Sequence, residues 1–270
     1  GPFILGTELD LHGNNQIDPA VFVDDDGKVY YMWGQFSLKM ALWDPDDGTI
    51  DPASIRDGII TEDDQFFHEG AMMKKVNGLY YLVYSDISRE DRPSCIGYAT
   101  STKPYGPYTY RGVIVDNNGC NPGNWNNHGS IVEFKDQWYI FYHRSTHGCV
   151  KMRKTCVEKI YFQPDGSIPE VEMTTQGAGD PLNPRMEIDA ASACMLHGNV
   201  RITRESSNNE VLSDIRSGDK AAFKYLNFDE DLKDVCISVK ARNKCKISFF
   251  ADMPWSHKLG EIVIDESMAT

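Results

Sequence analysis

AVFVDDDGKVYYMW (20–33), AMMKKVNGLYYLVYS (71–85) and SIVEFKDQWYIFYH (130–143) are three versions of one pattern. Each runs from alternating apolar residues through a polar turn into a stretch rich in aromatic side chains. Alternation with a period of two places every second side chain on one face, the mark of a strand that buries that face. Each stretch therefore reads as a β-hairpin, with turns expected at Asp26-Gly27, Asn77-Gly78 and Asp136-Gln137. Asp-Gly and Asn-Gly suit type I′ turns, whose two central residues both need φ > 0.

The hairpins recur at a spacing of roughly 50–60 residues, the period of propeller blades. Aligned on the turns, Asp18, Glu69 and His128 each lie nine residues ahead of the matching position (Gly27, Gly78 and Gln137). The alignment places all three just before the first strand of a blade. First strands line the channel of a propeller, so these three side chains, far apart in sequence, are expected to meet. A second repeat pairs GPYTYRGVIVD (106–116) with GPFILGTELD (1–10). The first reads as an outer strand, so the second reads as the tail of a preceding blade. Three hairpins are fewer than the four blades a closed propeller needs. The expectation is a propeller of which about three blades are visible, its first blades lying ahead of this sequence.

The fold class expected is all-β, in two parts. Residues 1–177 form the propeller part, with IYFQPDGSIPEVEM (160–173) as a last hairpin. Residues 178–185, within the Gly/Pro-rich QGAGDPLNPR, form a linker. From 186 to 270, MEIDAASACML, NVRITRE, EVLSDI, KAAFKYLNF, VCISVKAR and KISFFADM read as short strands of a β-sandwich.

Composition narrows the function classes. The chain is 41% hydrophobic and 25% charged, so it can bury a core and is not a disordered chain. Its net charge of −13 argues against a nucleic-acid partner, which needs a basic face. No apolar run approaches the ~20 residues of a membrane-spanning helix. Seven cysteines at irregular spacings include no Cys-x-x-Cys, which argues against a structural zinc site. They read as small buried hydrophobes or free thiols; Cys149/Cys156 and Cys236/Cys245 are the two pairs a disulfide could join. The absence of a signal peptide says little if the start is internal, so secretion and the cytoplasm both stay open.

The chemistry resides in Asp18 and Glu69. Paired carboxylates across a pocket are the machinery of glycoside hydrolysis, one giving a proton to the leaving oxygen. Asp18 before Pro19 would equally serve as an Asx turn, and Glu69 as a solvated loop acid. The triple alignment favours the site. His128 reads as a ligand for a sugar hydroxyl, a water or a cation, or as a histidine bonded to backbone. Asp24-Asp25-Asp26 lacks the spacing of a calcium loop and reads as a solvated turn. No Gly-x-Ser-x-Gly, Walker or Gly-x-Gly-x-x-Gly motif occurs.

IDPAVFVDDDGKVYYMWG (17–34), HEGAMMKKVNGLYYLVYS (68–85), IGYATSTKPYGPYTYRGVIVD (96–116) and NNHGSIVEFKDQWYIFYHR (126–144), in this order, resemble glycoside hydrolase family 43. That family comprises five-bladed propeller β-xylosidases, α-L-arabinofuranosidases and arabinanases. More loosely, residues from 186 on resemble the first part of a family 6-type carbohydrate-binding module. The resemblance implies an inverting glycosidase acting on xylo- or arabino-oligosaccharides and hemicellulose, in a setting of bacterial polysaccharide degradation. It implies Glu69 as general acid and Asp18 as the second aspartate that orients the acid and tunes its pKa. The base aspartate is expected in an earlier blade. His128 corresponds to a histidine at the channel centre, near a bound cation or water, and Arg153 to a sugar-contacting arginine. His68, Gln35 and Phe36 complete the expected sugar-binding set. No cofactor is required; Ca²⁺ or another structural cation at His128 is the one metal candidate. An ionised Asp18 is expected to raise the pKa of Glu69, since like charges disfavour a second ionisation. The alternative is a carbohydrate-binding protein without catalysis, or an inactive fragment of such an enzyme.

Overall fold

The computed structural model describes residues 6, 8–90, 92–121, 123–228 and 233–265. Strands make up 45% of the chain and helix 4%, an all-β structure. The chain divides into two compact units, Gly1–Asn227 and Phe228–Thr270. No helix among the described residues is long and apolar enough to cross a membrane. Residues 1–5 and 7, most of the expected tail of a preceding blade, lie outside the described residues.

Three antiparallel sheets carry the first unit. The first is β1 (Ala20–Val23), β2 (Val29–Trp33), β3 (Lys39–Asp44) and β4 (Thr49–Ile50), in that order. The second is β5 (Phe67–Val76), β6 (Leu79–Asp86), β7 (Cys95–Ser101) and β8 (Thr109–Asp116). The third is β9 (Gly129–Phe134), β10 (Gln137–Thr146) and β11 (Cys149–Ile160). The quoted hairpins are β1–β2, β5–β6 and β9–β10, and their first strands β1, β5 and β9 sit at the same edge of each sheet. Consecutive sheets touch along these strands, β1 against β5 and β5 against β9.

Burial explains why the aromatic runs are continuous rather than alternating. In β6 every residue from Tyr80 to Asp86 is buried. Tyr80, Leu82 and Tyr84 point into the core shared with the first sheet, among Phe22, Met32, Met40 and Phe67. Tyr81 and Val83 point the other way, into the core shared with Ile131, Ile140 and Tyr142 of the third. A strand covered on both faces has no polar face to offer. Each such fully buried side chain is worth about 1.5–3 kcal/mol relative to exposure.

The turns differ from expectation in two of three hairpins. Val76 pairs with Leu79 across Asn77-Gly78, whose φ values of 50° and 80° make the expected two-residue turn. In the third, Phe134 pairs with Gln137, so the turn residues are Lys135 and Asp136, at φ 51° and 60°. In the first, Val23 pairs with Val29, and the loop spans five residues closed by Gly27 N–H to Asp24 C=O at 2.9 Å. Asp24 holds the loop to the second sheet. It accepts from Tyr80 Oη at 2.6 Å and Lys75 Nζ at 2.8 Å, so it is a buried anchor rather than a solvated turn residue.

The hairpin expected at 160–173 is absent. Pro164 and Pro169 each lack a backbone donor, and beyond Ile160 a parallel bridge of Val171 to Val115 and side-chain hydrogen bonds, such as Tyr81 Oη to Gly166 C=O at 2.8 Å, tie this stretch to the second sheet. Beyond it, β12 (Met195–His197) pairs with β15 (Lys220–Ala222), and β13 (Arg201–Ser206) with β14 (Asn209–Ser213). These strands pack on the third sheet. The buried Arg144 of β10 donates to the carbonyls of Ala191, at 2.8 Å, and Ala193. Leu182 N–H donates to Tyr225 C=O at 2.8 Å, so the expected linker is pinned. In the second unit β16 (Cys245–Phe250) pairs with β17 (Lys258–Ile264), while residues 235–242, expected as a strand, form none. All seven cysteines are free, so neither candidate pair is joined.

Candidate active site

Asp18, Glu69 and His128 converge: one ligand atom from each lies within 4.8 Å of the others. Asp18 and His128 precede β1 and β9, as expected, but Glu69 lies inside β5. The register accounts for the convergence. On β5, Met72 faces Val83 and Glu69 faces Ser85, so three steps on β5 match two on β6. This bulge carries one extra residue. Ser85 lies six residues into β6 from Leu79, as His143 lies six into β10 from Gln137. Continuing the β9–β10 ladder past Gly129–Tyr142 sets His128 opposite His143, and their rings lie 6.2 Å apart. The extra residue on β5 thus moves Glu69 to the place that His128 holds beside the next sheet.

Gly70 makes the bulge possible. Its φ of 66° belongs to the left-handed region, and the His128 ring packs where a side chain would be. Gly70 N–H also donates to the Asp18 carboxylate. Asp18 itself holds φ 60°, a strained value for a residue with a side chain.

Glu69 is buried, 3% exposed, and its carboxylate is surrounded by donors. Asn126 Nδ2 reaches Oε1 at 2.7 Å and His128 Nε2 faces the same oxygen at 3.0 Å. Gln35 Nε2 reaches Oε2 at 2.8 Å. The His128 hydrogen bond first, with the charges of His128 and His68 and the Gln35 bond, holds the Glu69 carboxyl below its ordinary value against the opposing effect of burial. The expectation of a raised value is corrected: direct donors outweigh the neighbouring carboxylate. The raised group is Asp18. Burial lifts it first, then the charge of Glu69, and its Oδ2 is buried without a partner.

The remaining expected residues divide. Gln35 touches Glu69 directly, and its own N–H is held by Gln16 Oε1 at 3.0 Å. Phe36 is 50% exposed and sits edge-on to His68, ring centroids 5.3 Å apart. His68 Nδ1 lies 2.9 Å from Glu62 Oε1. Arg153 is exposed, its Nε donating to Val150 C=O at 3.3 Å. It reaches the site through charge alone, lowering Asp18 against the effect of burial.

Two site residues were not anticipated. Asn126 lies in the Asn-rich NWNNHG, and only its nearness to His128 could have flagged it. It adopts φ 50°, and its carbonyl faces His143 Nε2 in a hydrogen bond. A carbonyl only accepts, so His143 carries its proton on Nε2. Burial, then the Arg153 charge, pushes the His143 pKa down to about 4, so the ring is neutral at pH 7.

The three converging atoms lie close enough to share a cation, but the arrangement does not fit one. Glu69 is already bonded by three donors, and His128 Nε2 faces Glu69 rather than an open space. A cation would have to displace these bonds.

Sheets whose edge strands bring a buried glutamate, a half-buried aspartate and an imidazole together define an all-β protein with an acid-pair site at the meeting of its sheets. The chain belongs to glycosyl hydrolases family 43, whose model matches residues 1–168. It is 34% identical over 236 residues to a xylosidase/arabinosidase of Thermoclostridium stercorarium, covering 74% of this chain and 48% of that one. It is 32% identical over 243 residues to an arabinoxylan arabinofuranohydrolase of Bacillus subtilis, covering 78% and 47%. The chain thus spans about half the length of these curated relatives. A β-xylosidase/α-arabinofuranosidase from a compost metagenome, solved with xylotriose, superposes with TM-score 0.50 at 31% identity, covering 60% of this chain and 59% of that one.

Proposed function

We propose that this protein is a glycosidase that removes xylosyl or arabinofuranosyl units from xylan-type hemicellulose, with Glu69 as general acid. The carrying observation is the separation of the two carboxylates. Inversion needs acid and base roughly 6.5–9.5 Å apart to admit a water. Asp18 and Glu69 approach within 4.8 Å, so Asp18 is not the base opposite Glu69. We read it as the aspartate that orients the acid and tunes its ionisation through its charge.

In this reading the bond from sugar C1 to the leaving oxygen breaks, and its electron pair stays on that oxygen. Glu69 supplies the proton that makes it a hydroxyl. A water attacks C1 from the opposite face and gives its proton to a third carboxylate, the base, placed outside this cluster. His128, Gln35, Phe36 and His68 line the sugar site, and Arg153 supplies positive charge beside Asp18. No cofactor enters. Residues 186–270 we read as part of a carbohydrate-binding sandwich of the family 6 type, which would hold the polysaccharide.

The test is hydrolysis of p-nitrophenyl β-D-xyloside, p-nitrophenyl α-L-arabinofuranoside and xylobiose, with Glu69→Gln as control. Release that the control loses, most severely for xylobiose, supports the reading, because a sugar leaving group needs the proton more than nitrophenolate does. Sugar binding without any release by the unaltered chain would favour a carbohydrate-binding protein instead.

A further inference from the structure

The Asn-rich stretch ahead of β9 is held in place by its own side chains. Asn117 Nδ2 donates to His143 C=O at 2.7 Å, and Asn124 Oδ1 accepts from Ser145 N–H at 2.7 Å. Asn127 Nδ2 donates to Ser94 C=O at 3.0 Å, and its N–H to Pro93 C=O at 2.7 Å. All three asparagines are buried. Two of them grip β10, and the third grips the chain entering β7. The stretch is thereby bracketed between the second and third sheets.

Asn126 lies inside this bracket and offers two groups in different directions. Its amide reaches Glu69 Oε1 at 2.7 Å. Its carbonyl, set by φ 50°, accepts from the Nε2–H of His143. A side-chain-bearing residue keeps a left-handed backbone only where its surroundings hold the peptide. His143 supplies that hold from another strand. Amide and carbonyl branch from one Cα, so fixing the carbonyl fixes the point from which the amide reaches Glu69.

Packing alone does not account for a histidine here. Its Nδ1 is buried without a partner, and an apolar side chain of similar shape would leave no such acceptor. The ring meets His128 edge-on, at an interplanar angle of 83°, and belongs to none of the buried apolar clusters. What the histidine adds is the N–H. The ring is neutral at pH 7. A neutral donor fixes geometry without the positive charge that would draw Glu69 further toward its ionised form.

Resting on the glycosidase reading, we infer that His143 is a positioning residue for the acid: its N–H holds the Asn126 carbonyl and so aims the amide that orients Glu69. It acts through Asn126 alone.

Rates and an NMR signal test this. His143→Leu should lower kcat on xylobiose, or on an arabinofuranosyl-xylose disaccharide, about tenfold with KM unchanged. His143→Gln, which keeps a side-chain N–H, should recover most of that rate. The double variant His143→Leu/Asn126→Ala should be no slower than Asn126→Ala, because the first change acts through the residue that the second removes. On 2,4-dinitrophenyl glycosides, whose leaving group needs no proton, His143→Leu should match the unaltered protein within about twofold. A histidine that merely supports the fold would slow both kinds of substrate alike and would add its loss to that of Asn126→Ala. Either outcome, or an unslowed His143→Leu on the disaccharides, overturns the proposal. If His143→Leu does not fold, His143→Phe carries the same comparisons. The NMR signal needs no turnover. The Asn126 side-chain amide protons, assigned by their loss in Asn126→Ala, should exchange faster with water in His143→Leu and stay protected in His143→Gln. Unchanged protection in His143→Leu overturns the proposal even where rates fall. If the unaltered chain cleaves none of these sugars while the amide still depends on His143, the glycosidase reading falls and the positioning contact stands.

Discussion

Gly70 lies directly against the imidazole of His128: a Cβ built at residue 70 would stand 2.9 Å from the ring carbon and 3.0 Å from Nε2. The backbone of one sheet thereby sets the position of a ring from the next. Gly70→Ala combines that clash with a φ of 66°. It should cost about 1–3 kcal/mol of stability. Activity should fall further than stability, because the displaced ring is the one that binds Glu69. Thermal unfolding of Gly70→Ala beside Gly6→Ala, an open position with nothing near its Cβ, checks this.

Glu69 and Asp18 should respond to pH with opposite signs. The folded pKa of Glu69 lies below its ordinary value of 4.5. Its stabilising contribution is complete above that value and is lost as pH falls through the lower folded one. Glu69→Gln should therefore be less stable than the unaltered protein at pH 7, by about 1–3 kcal/mol for lost charged hydrogen bonds. The gap should narrow toward pH 3. Urea midpoints at several pH values measure it.

Asp18 carries the reverse relation. Its folded pKa is raised above 3.8, so ionisation is penalised in the folded state. The penalty is fully present above the folded value and vanishes below the unfolded one. Asp18→Asn should raise stability at pH 7 by about 1 kcal/mol, the scale for relieving an unpartnered buried oxygen, while hydrolysis is lost. Equal or lower Tm for Asp18→Asn at pH 7 would contradict the assignment.

His143 predicts a separate slope. Its pKa falls from 6.5 to about 4 on folding. Between those values the unfolded chain takes up a proton that the folded chain refuses, so stability declines as pH drops across this window. His143→Gln removes the titrating group while keeping a side-chain N–H. The variant should show a flatter stability profile from pH 6.5 to 4, read by denaturant unfolding.

Asn126 should act on rate rather than on binding. Its amide directs Glu69 Oε1, and it has no other assigned contact with a sugar. Asn126→Ala should lower kcat on xylobiose or the arabinofuranosyl substrate about 10–100-fold with little change in KM, as expected when a positioned acid is loosened. A rise in KM at constant kcat would instead place Asn126 among the sugar ligands.

How much of this was legible depends on the range of the cause. The hairpins were plain because alternation and aromatic runs are local consequences of burial on the sheet faces. Asn77-Gly78 announced its turn, since those residues tolerate φ > 0. Lys135-Asp136 adopts the same geometry without glycine, so the third turn was placed one residue late. The convergence of Asp18, Glu69 and His128 followed from the repeat even though the bulge at Glu69 could not be foreseen. Two deviations of one residue, the shifted turn and the bulge, offset each other. The direction of the Glu69 pKa was hidden because it is set first by a direct hydrogen bond to His128, and then by charge and by Gln35 from a loop 34 residues away, and the sequence shows that His128 converges on Glu69 but not that it bonds it. Arg144 likewise shows no sequence sign that it would reach the carbonyls of Ala191 and Ala193, the contacts that hold the start of the expected sandwich part against the third sheet.

The extra residue in β5 has an evolutionary side. A hairpin with one residue fewer would pair without this bulge and would present Glu69 one notch away from its donors. The scaffold can therefore gain or lose its chemistry by a change in chain length of a single codon, without any replacement of an acidic residue. Members of the family that keep every carboxylate but differ in spacing between the Glu-Gly pair and the following Asn-Gly turn are the places to look for blades that have ceased to act.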